Sequence, residues 1–304
     1  MLNKTRVITA LFMGIIFIPI FFLGGYFVYA LAALFAFIGT YELVKMHNNK
    51  NNLPKIFNYI VPVLSVVVVL TAMISDLILA INGLNYVLFS ILLIVVALLI
   101  STLVYKELKV TDGFYYIGSI LYAGASFAVI AALRNVNLYS TTNDLILGPI
   151  KINIVGLAIL GYILCVTLFT DIGAYEIGCR FGKHKLIPDV SPNKSIEGAI
   201  GGSACGALFG TIELVLCEYF LGFNLFGIDN IVLKIVVVLL LSICLTIVSQ
   251  IGDLIASKLK REYGIKDYGS IFPGHGGVMD RFDSLILTSA VFFIILALFG
   301  VVLC

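Results

Sequence analysis

Long apolar stretches follow one another along this chain and are separated by polar connections. A helix needs roughly 17 to 25 mostly apolar residues to cross a bilayer, because every backbone polar group must be satisfied within the segment. By this criterion the sequence predicts nine transmembrane helices. They run approximately over residues 7–23, 26–45, 57–75, 85–105, 114–132, 154–170, 198–222, 231–251 and 284–303.

The composition supports the same interpretation and excludes a water-soluble domain. Hydrophobic residues occupy 61% of the 304 positions and charged residues only 12%, whereas soluble proteins average about 25% charged residues. The predicted fold class is therefore all-α, a polytopic integral membrane protein in a lipid bilayer. Lys4 and Arg6 precede the first apolar stretch as in a signal peptide, but that stretch lacks a small-residue end, so we expect a retained first helix.

The basic residues are distributed unevenly between the two sides of the predicted helices. If the connections alternate sides, Arg134, Lys151 and Lys234 fall on one side and the other 16 of the 19 Lys and Arg residues fall on the opposite side. Because cytoplasmic loops carry an excess of Lys and Arg, we expect a cytoplasmic N-terminus and a C-terminus on the other side. The net charge of +2 gives no reason to expect a nucleic-acid partner.

Two connections on the predicted cytoplasmic side are too long and too charged to be simple turns. Residues 171–197 and 252–283 contain nine of the 17 acidic residues and nine of the 19 basic residues. Mixed charge at this density indicates a site that binds both cations and anions. We therefore expect residues 1–150 to form about five membrane helices, and residues 151–304 to form a catalytic membrane domain that carries both connections.

A polar stripe continues the eighth predicted helix beyond the membrane. Asp253, Ser257 and Arg261 recur every fourth residue, with Lys260 beside them, so they share one helix face. An amphipathic helix lying on the lipid headgroups would explain the bases. It would leave Asp253 unexplained, and acids at a membrane boundary are functional candidates.

A glycine-rich segment and a pair of acids come next. Two glycines follow His275, and glycine lets backbone amides approach an anion closely, although a tight turn is the commoner explanation. Asp280 and Asp283 share a helix face, and together with Asp253 they form a carboxylate set that suits Mg²⁺. Either acid alone would be interpreted as a helix cap. Carboxylates for a hard cation beside bases for phosphates are typical of phosphoryl or nucleotidyl transfer.

At these residues the sequence resembles the phosphatidate cytidylyltransferase, or CDP-diacylglycerol synthase, family. Every fixed position of the family's motif matches over 27 residues, namely Ser257, Leu259, Lys260, Arg261, Lys266, Asp267, Gly269, Phe272, Pro273, His275, Gly276, Gly277, Val278, Asp280, Arg281, Phe282 and Asp283. The earlier connection is similar to the family as well, through Asp171, Gly173, Ala174, Tyr175, Gly178, Phe181, Gly182, Lys183, Ser191, Pro192, Lys194, Glu197 and Gly198. It departs at Asn193 and Ser195, where many members have Lys and Thr.

The resemblance implies an enzyme that converts CTP and phosphatidic acid to CDP-diacylglycerol and pyrophosphate with Mg²⁺. It makes Asp253 and Asp280 the metal ligands and Asp283 their support, and it leaves room for a second, monovalent cation such as K⁺. Charge complementarity then assigns the phosphates to four bases, Lys260, Arg261, Lys266 and Arg281. Ser257 would orient a ligand or a phosphate.

Other candidate residues have less specific roles. His275 either donates a hydrogen bond to a phosphate or the backbone, or holds the glycine turn with Gly276 and Gly277. The resemblance adds four substrate-binding candidates, Asp171, Ser191, Lys194 and Ser195.

A row of glycines at every fourth residue of the seventh predicted helix also needs an explanation. Gly198, Gly202, Gly206 and Gly210 form a small-residue face, and tight helix packing or a homodimer contact explains it better than a lipid groove.

Three other functions are compatible with the sequence. The nearest is a cytidylyltransferase for another lipid phosphate, such as an ether lipid, and a transporter or a membrane scaffold is more remote. The chain resembles bacterial members, so we expect it in the bacterial cytoplasmic membrane with its active site facing the cytoplasm.

Overall fold

The computed structural model of this chain describes residues 4–78, 83–136, 145–147 and 150–299. Helices account for most of them: α1 (Lys4–Leu23), α2 (Gly25–Asn51), α3 (Phe57–Ile78), α4 (Gly83–Val104), α5 (Val110–Ser119), a π-helical turn (Ile120–Ala125), α6 (Ser126–Asn135), α7 (Ile154–Phe181), α8 (Ile196–Leu221), α9 (Ile231–Glu262) and α10 (Met279–Leu298). The strands are β1 (Leu145–Leu147), β2 (Ile150–Ile152), β3 (Lys185–Ile187) and β4 (Ser191–Ser195).

The predicted fold class, a polytopic and nearly all-α membrane protein, is confirmed. Eight helical segments among the described residues are long and apolar enough to cross a membrane: Gly25–Asn51, Phe57–Ser75, Tyr86–Val104, Val110–Asn135, Ile154–Phe181, Ile196–Leu221, Ile231–Glu262 and Met279–Leu298. In α1 the apolar segment Leu11–Leu23 is shorter. The count of nine and the orientation of the termini stay predictions, and the last predicted span extends to residue 303, beyond the described residues.

Several helices continue further into polar sequence than the apolar pattern predicts. α7 extends to Phe181, so the first part of the predicted connection 171–197 is helical, which corrects its interpretation as a loop. Charged side chains do not interrupt a helix, because only one face needs to be apolar for packing. The predicted continuation of the eighth span is confirmed, since α9 extends to Glu262.

Two short antiparallel hairpins interrupt the helical pattern. β1 pairs with β2, and β3 pairs with β4 with an irregular register that places Lys185 opposite Ser195 and Ile187 opposite Ser191. The second hairpin joins α7 to α8. Its last residue, Ser195, is the N-cap of α8, and its hydroxyl accepts a hydrogen bond from Gly198 N at 3.1 Å.

By internal packing the chain divides into two compact units, each built from two sequence segments. The first unit combines Met1–Ala132 with Tyr263–Arg281, and the second combines Leu133–Glu262 with Phe282–Cys304. The segment that carries most of the family motif's second half, 263–281, therefore packs with the N-terminal helices. The functional division at residue 150 stays a prediction.

The first unit has its core where α3 packs against α2, α4 and the π-helical turn. Phe57 and Tyr116 are buried there, with their rings stacked at 5.4 Å. Polar groups in this core are paired, because Tyr116 donates to Asn48 Oδ1 at 2.8 Å and Asn48 donates to Asn58 at 2.7 Å. Such paired groups avoid the cost of burying an unsatisfied polar atom.

The second unit is built on close contact between α7 and α8, with α9 packed on both. The glycine face of α8 lies against α7 in this contact. A Cβ at Gly202 would lie 2.6 Å from Thr170 O, and a Cβ at Gly206 or Gly210 would overlap side chains of α7. Helix packing within one chain therefore explains this face. A homodimer stays a prediction.

Candidate active site

The predicted site residues fall into two groups, one in each unit. The second unit contains Asp171, Ser191, Lys194, Ser195, Asp253, Ser257, Lys260, Arg261 and Asp283. The first unit contains Lys266, His275, Gly276, Gly277, Asp280 and Arg281. Each group has a distinct local geometry.

Asp253 is the centre of an acid–base cluster in the second unit. Its Oδ2 atom lies 2.5 Å from the Nζ atom of Lys194, and each of the two side chains is 29% exposed. Ser257, one helical turn later, donates from its hydroxyl to Asp253 Oδ1 at 3.3 Å. The partners of this carboxylate are thus side-chain groups rather than backbone amides, so a ligand can replace them.

Two further carboxylates lie within electrostatic range of Asp253. Asp171 of α7 interacts electrostatically with Asp253 and Lys194. Asp283 of α10 interacts in the same way with Asp253 and Asp171. It is also close enough to Lys260 for a favourable charge interaction. Three carboxylates that repel one another attract cations to this place.

Glycine makes the approach of α9 to α10 possible at this cluster. A Cβ at Gly252 would lie 2.9 Å from the backbone oxygen of Asp283 and 3.3 Å from Leu287 Cβ. Any larger residue would therefore push the two helices apart. Further along α10, the rings of Phe292 and Tyr162 pack at 5.4 Å. The acids beside this contact, on two different helices, are brought together by packing.

The β3–β4 hairpin presents Lys194 to Asp253. Ser191 begins the same strand and is half-buried, and Arg261 Nε reaches Val190 O at a long 3.5 Å. Glu197 closes the hairpin base, where it accepts from His184 Nδ1 at 2.6 Å and from Lys183 N at 3.1 Å. The hairpin therefore fixes the backbone that carries this lysine.

In the first unit, the glycine segment forms a tight turn held by its own backbone. Phe272 N donates to Gly276 O at 3.0 Å, and Gly276 N donates back to Phe272 O at 3.1 Å. Gly274 and Gly276 have φ angles of 74° and 87°, a region that favours glycine. His275 Nδ1 is buried without a hydrogen-bond partner among the described residues, so it is available to a ligand. Lys266 and Arg281 are exposed.

Two buried acids hold the end of this segment, and the sequence pattern indicated only one of them. Asp280 Oδ2 accepts from Tyr268 N at 2.8 Å and from Gly277 N at 2.9 Å. Glu42 of α2, which was missed, accepts from Val278 N and Met279 N at 3.0 Å each. An acid within a predicted membrane helix is itself a functional signal, and that signal would have found Glu42.

The donor atoms of the second unit are chemically suited to Mg²⁺. Among residues the structure describes, no three His, Cys, Asp or Glu side chains converge as a metal site. Mg²⁺ commonly takes only one or two carboxylates and completes its shell with water and substrate phosphates. The ammonium of Lys194 already lies where Asp253 attracts a cation. The pairing of Asp253 with Asp280 as metal ligands stays a prediction.

Comparison with known proteins gives consistent matches along the chain. Residues 4–299 match the profile of a family described as the cytidylyltransferase family. A phosphatidate cytidylyltransferase of Staphylococcus haemolyticus is 34% identical over 282 residues, which cover 92% of this chain and 94% of the relative. The corresponding protein of Staphylococcus saprophyticus is 32% identical with the same coverage. That of Bacillus subtilis is 33% identical over 72% of this chain and 70% of its own length.

Proposed function

The chain belongs to the cytidylyltransferase family, and we propose that it transfers the cytidylyl group of CTP to phosphatidate, forming CDP-diacylglycerol and releasing pyrophosphate. The resemblance noted in the sequence is confirmed, and the protein is a nucleotidyltransferase enzyme. Its apolar helices and bacterial relatives make it a bacterial membrane protein. A position in the cytoplasmic membrane, with the site facing the cytoplasm, is part of the proposal.

The acid–base cluster around Asp253 is the observation that supports this proposal most directly. Both substrates are polyanions, so the reaction has to offset the repulsion between their phosphates. Lys194 and Lys260 supply positive charge beside the carboxylates. A transporter or a scaffold would have no need for this combination in one place.

In the proposed reaction, a phosphate oxygen of phosphatidate attacks the α-phosphorus of CTP. The new P–O bond forms as the bond from the α-phosphorus to the bridging oxygen breaks, and pyrophosphate leaves with that electron pair. A phosphate monoester has a second pKa of about 6, so its oxygen is mostly deprotonated at neutral pH. The reaction therefore needs no protein base, and His275 serves as a hydrogen-bond donor to phosphate.

In this proposal the carboxylates bind Mg²⁺ and the bases bind phosphate. Asp253 and Asp280, with Asp283 in support, would hold Mg²⁺, and Lys194 and Lys260 would bind phosphate oxygens. Mg²⁺ supplies charge neutralisation for the α-phosphate and the leaving pyrophosphate. Charge complementarity assigns phosphates to Arg261, Lys266 and Arg281 as well. The resemblance adds Asp171, Ser191 and Ser195 as substrate-binding residues.

The decisive assay uses the purified full-length protein in mixed micelles with labelled CTP, phosphatidate and MgCl₂. We expect CDP-diacylglycerol and pyrophosphate in equal amounts, and no product when Mg²⁺ is removed with EDTA. Replacing KCl with NaCl in the same assay tests the second cation. Pyrophosphate release with an ether-lipid phosphate but not with phosphatidate would replace the substrate. No transfer to any lipid phosphate would overturn the proposal.

A further inference from the structure

Glu42 binds the backbone at the start of α10 from a distant part of the chain. This helix end has free N–H groups that need acceptors, and the two oxygens of Glu42 accept from Val278 and Met279, one each. The carboxylate is only 5% exposed. A buried carboxylate with two charge-assisted hydrogen bonds fixes the position of the backbone that it binds.

The segment is also shaped around this carboxylate. A Cβ at Gly269 or at Gly277 would overlap the Glu42 side chain. Glycine at both positions lets the backbone close over the acid from two sides. The shape of the turn that carries His275 thus depends on a residue more than two hundred positions earlier in the sequence.

α2 also holds the other end of this segment, through a second buried side chain. His47 is paired through Nε2 with Asp112 Oδ1 at 2.8 Å, and through Nδ1 with the hydroxyl of Tyr263 at 2.8 Å. Its ring stacks on Tyr115 at 3.9 Å. Tyr263 is the first residue after α9, so the segment is bound to α2 where it begins and where it ends.

We propose that Glu42 and His47 of α2 are positioning residues for the phosphate-binding segment 263–281. Neither side chain contacts substrate in this scheme. Both act through the backbone that carries Lys266, His275 and the adjacent glycines. The inference rests on the proposed function for the phosphate-binding role of the segment, whereas the anchoring itself does not depend on it.

Glu42→Gln is the main test, because the NH₂ group that replaces one carboxylate oxygen is a donor and cannot accept the backbone N–H that this oxygen binds. We expect kcat for cytidylyl transfer to fall about tenfold or more, since hydrogen bonds to charged groups are among the stronger ones. Amide hydrogen exchange in peptides covering 276–280 should rise by a similar factor. Glu42→Asp keeps two acceptor oxygens and should recover part of kcat, which a merely space-filling role would not produce.

Glu218→Gln is the matched control in the second unit. Glu218 is 4% exposed, accepts from Leu225 N at 2.9 Å and pairs with Lys234 Nζ at 2.7 Å, so it is an equally buried acid whose contacts lie away from the segment 263–281. We expect this variant to leave kcat and exchange at 276–280 unchanged. If Glu42→Gln does not fold, Gly269→Ala tests the same contact by displacing the turn, with the same expected changes.

Tyr263→Phe tests the His47 contact separately from the Glu42 contact, because it removes only the hydroxyl that binds His47. Exchange should rise in peptides covering 264–268 and not at 276–280. Unchanged exchange in Glu42→Gln and Gly269→Ala, or equal effects in Glu218→Gln, would overturn the positioning role. If the wild-type protein transfers no cytidylyl group, the proposed function is wrong. The exchange measurements would still show whether Glu42 and His47 hold the segment 263–281 in place.

Discussion

The acid–base cluster of the second unit and the segment 263–281 of the first unit use the same side-chain group in opposite ways. Asp253 faces side-chain partners, the ammonium of Lys194 and the hydroxyl of Ser257. Glu42 and Asp280 instead accept hydrogen bonds from backbone amides. A flexible ammonium can be exchanged for a ligand, whereas an amide fixed in a turn cannot move away.

The acids that bind backbone amides are also more deeply buried than Asp253. The side chain of Asp253 is partly exposed, whereas Glu42 and Asp280 are buried residues. Burying a carboxylate is costly unless hydrogen bonds replace its water, and the two buried acids have those bonds. A motif acid can therefore bind ligand, organise a loop, or do both, and its partners indicate which.

The largest expected effect comes from substituting the two predicted metal ligands. Asp253→Asn and Asp280→Asn should each lower kcat/KM at least about 100-fold, because both would lose a charge that stabilises the transition state. The protein should remain in the membrane at the wild-type level. Titration with Mg²⁺ distinguishes a metal ligand from a residue that only positions the loop. Loss of a metal ligand raises the Mg²⁺ concentration that half-maximal activity needs, whereas a displaced loop lowers kcat alone. Near-normal turnover in either variant would contradict the metal assignment.

A smaller effect is expected from removing the cation that faces Asp253. Lys194→Gln should lower kcat/KM for CTP about tenfold, because one charge-assisted phosphate contact contributes roughly 1.5 kcal/mol or more. Steady-state kinetics would measure this. Lys185→Gln is the control, since Lys185 lies exposed on the neighbouring strand of the same hairpin. Equal losses in both variants would show that the hairpin as a whole, rather than Lys194, matters.

Helix packing beneath the cluster should tolerate less change than an open helix surface. Gly252→Ala places a Cβ against the backbone of Asp283, and overpacking of this kind costs about 1–3 kcal/mol. We expect a lower melting temperature and lower activity. Gly118→Ala in α5, where no atom outside the local helix backbone lies within 4 Å of the added Cβ, should leave activity unchanged and should not lower the melting temperature. A fully active, equally stable Gly252→Ala protein would show that the helix contact is not needed.

The smallest effect is expected at an exposed ion pair near the cluster. Arg180 and Glu176 pair at 2.8 Å with 71% and 50% exposed side chains, and i,i+4 surface pairs contribute only about 0.3–0.5 kcal/mol. Arg180→Gln should leave cytidylyl transfer unchanged and barely alter the melting temperature. A large loss of activity would mean that this arginine binds substrate.

The sequence predicted much of the fold, because bilayer-spanning helices are long, apolar and locally determined. It also predicted that α9 continues to Arg261, since Asp253 and Ser257 recur at helical spacing. It did not predict that α7 continues past Asp171 or that a hairpin carries Lys194. Those features depend on side chains from other segments, which a local pattern does not contain.

The sequence by itself determined the membrane class, the family and the identity of the motif residues. Tertiary structure alone decided the partners of those residues, because Asp171, Lys194 and Asp253 lie far apart in the chain and meet only through helix packing. It likewise decided that Glu42 binds the backbone beside Asp280. The sequence shows that a carboxylate is present but not which atoms surround it. Its role is set by the atoms that folding places within hydrogen-bonding distance.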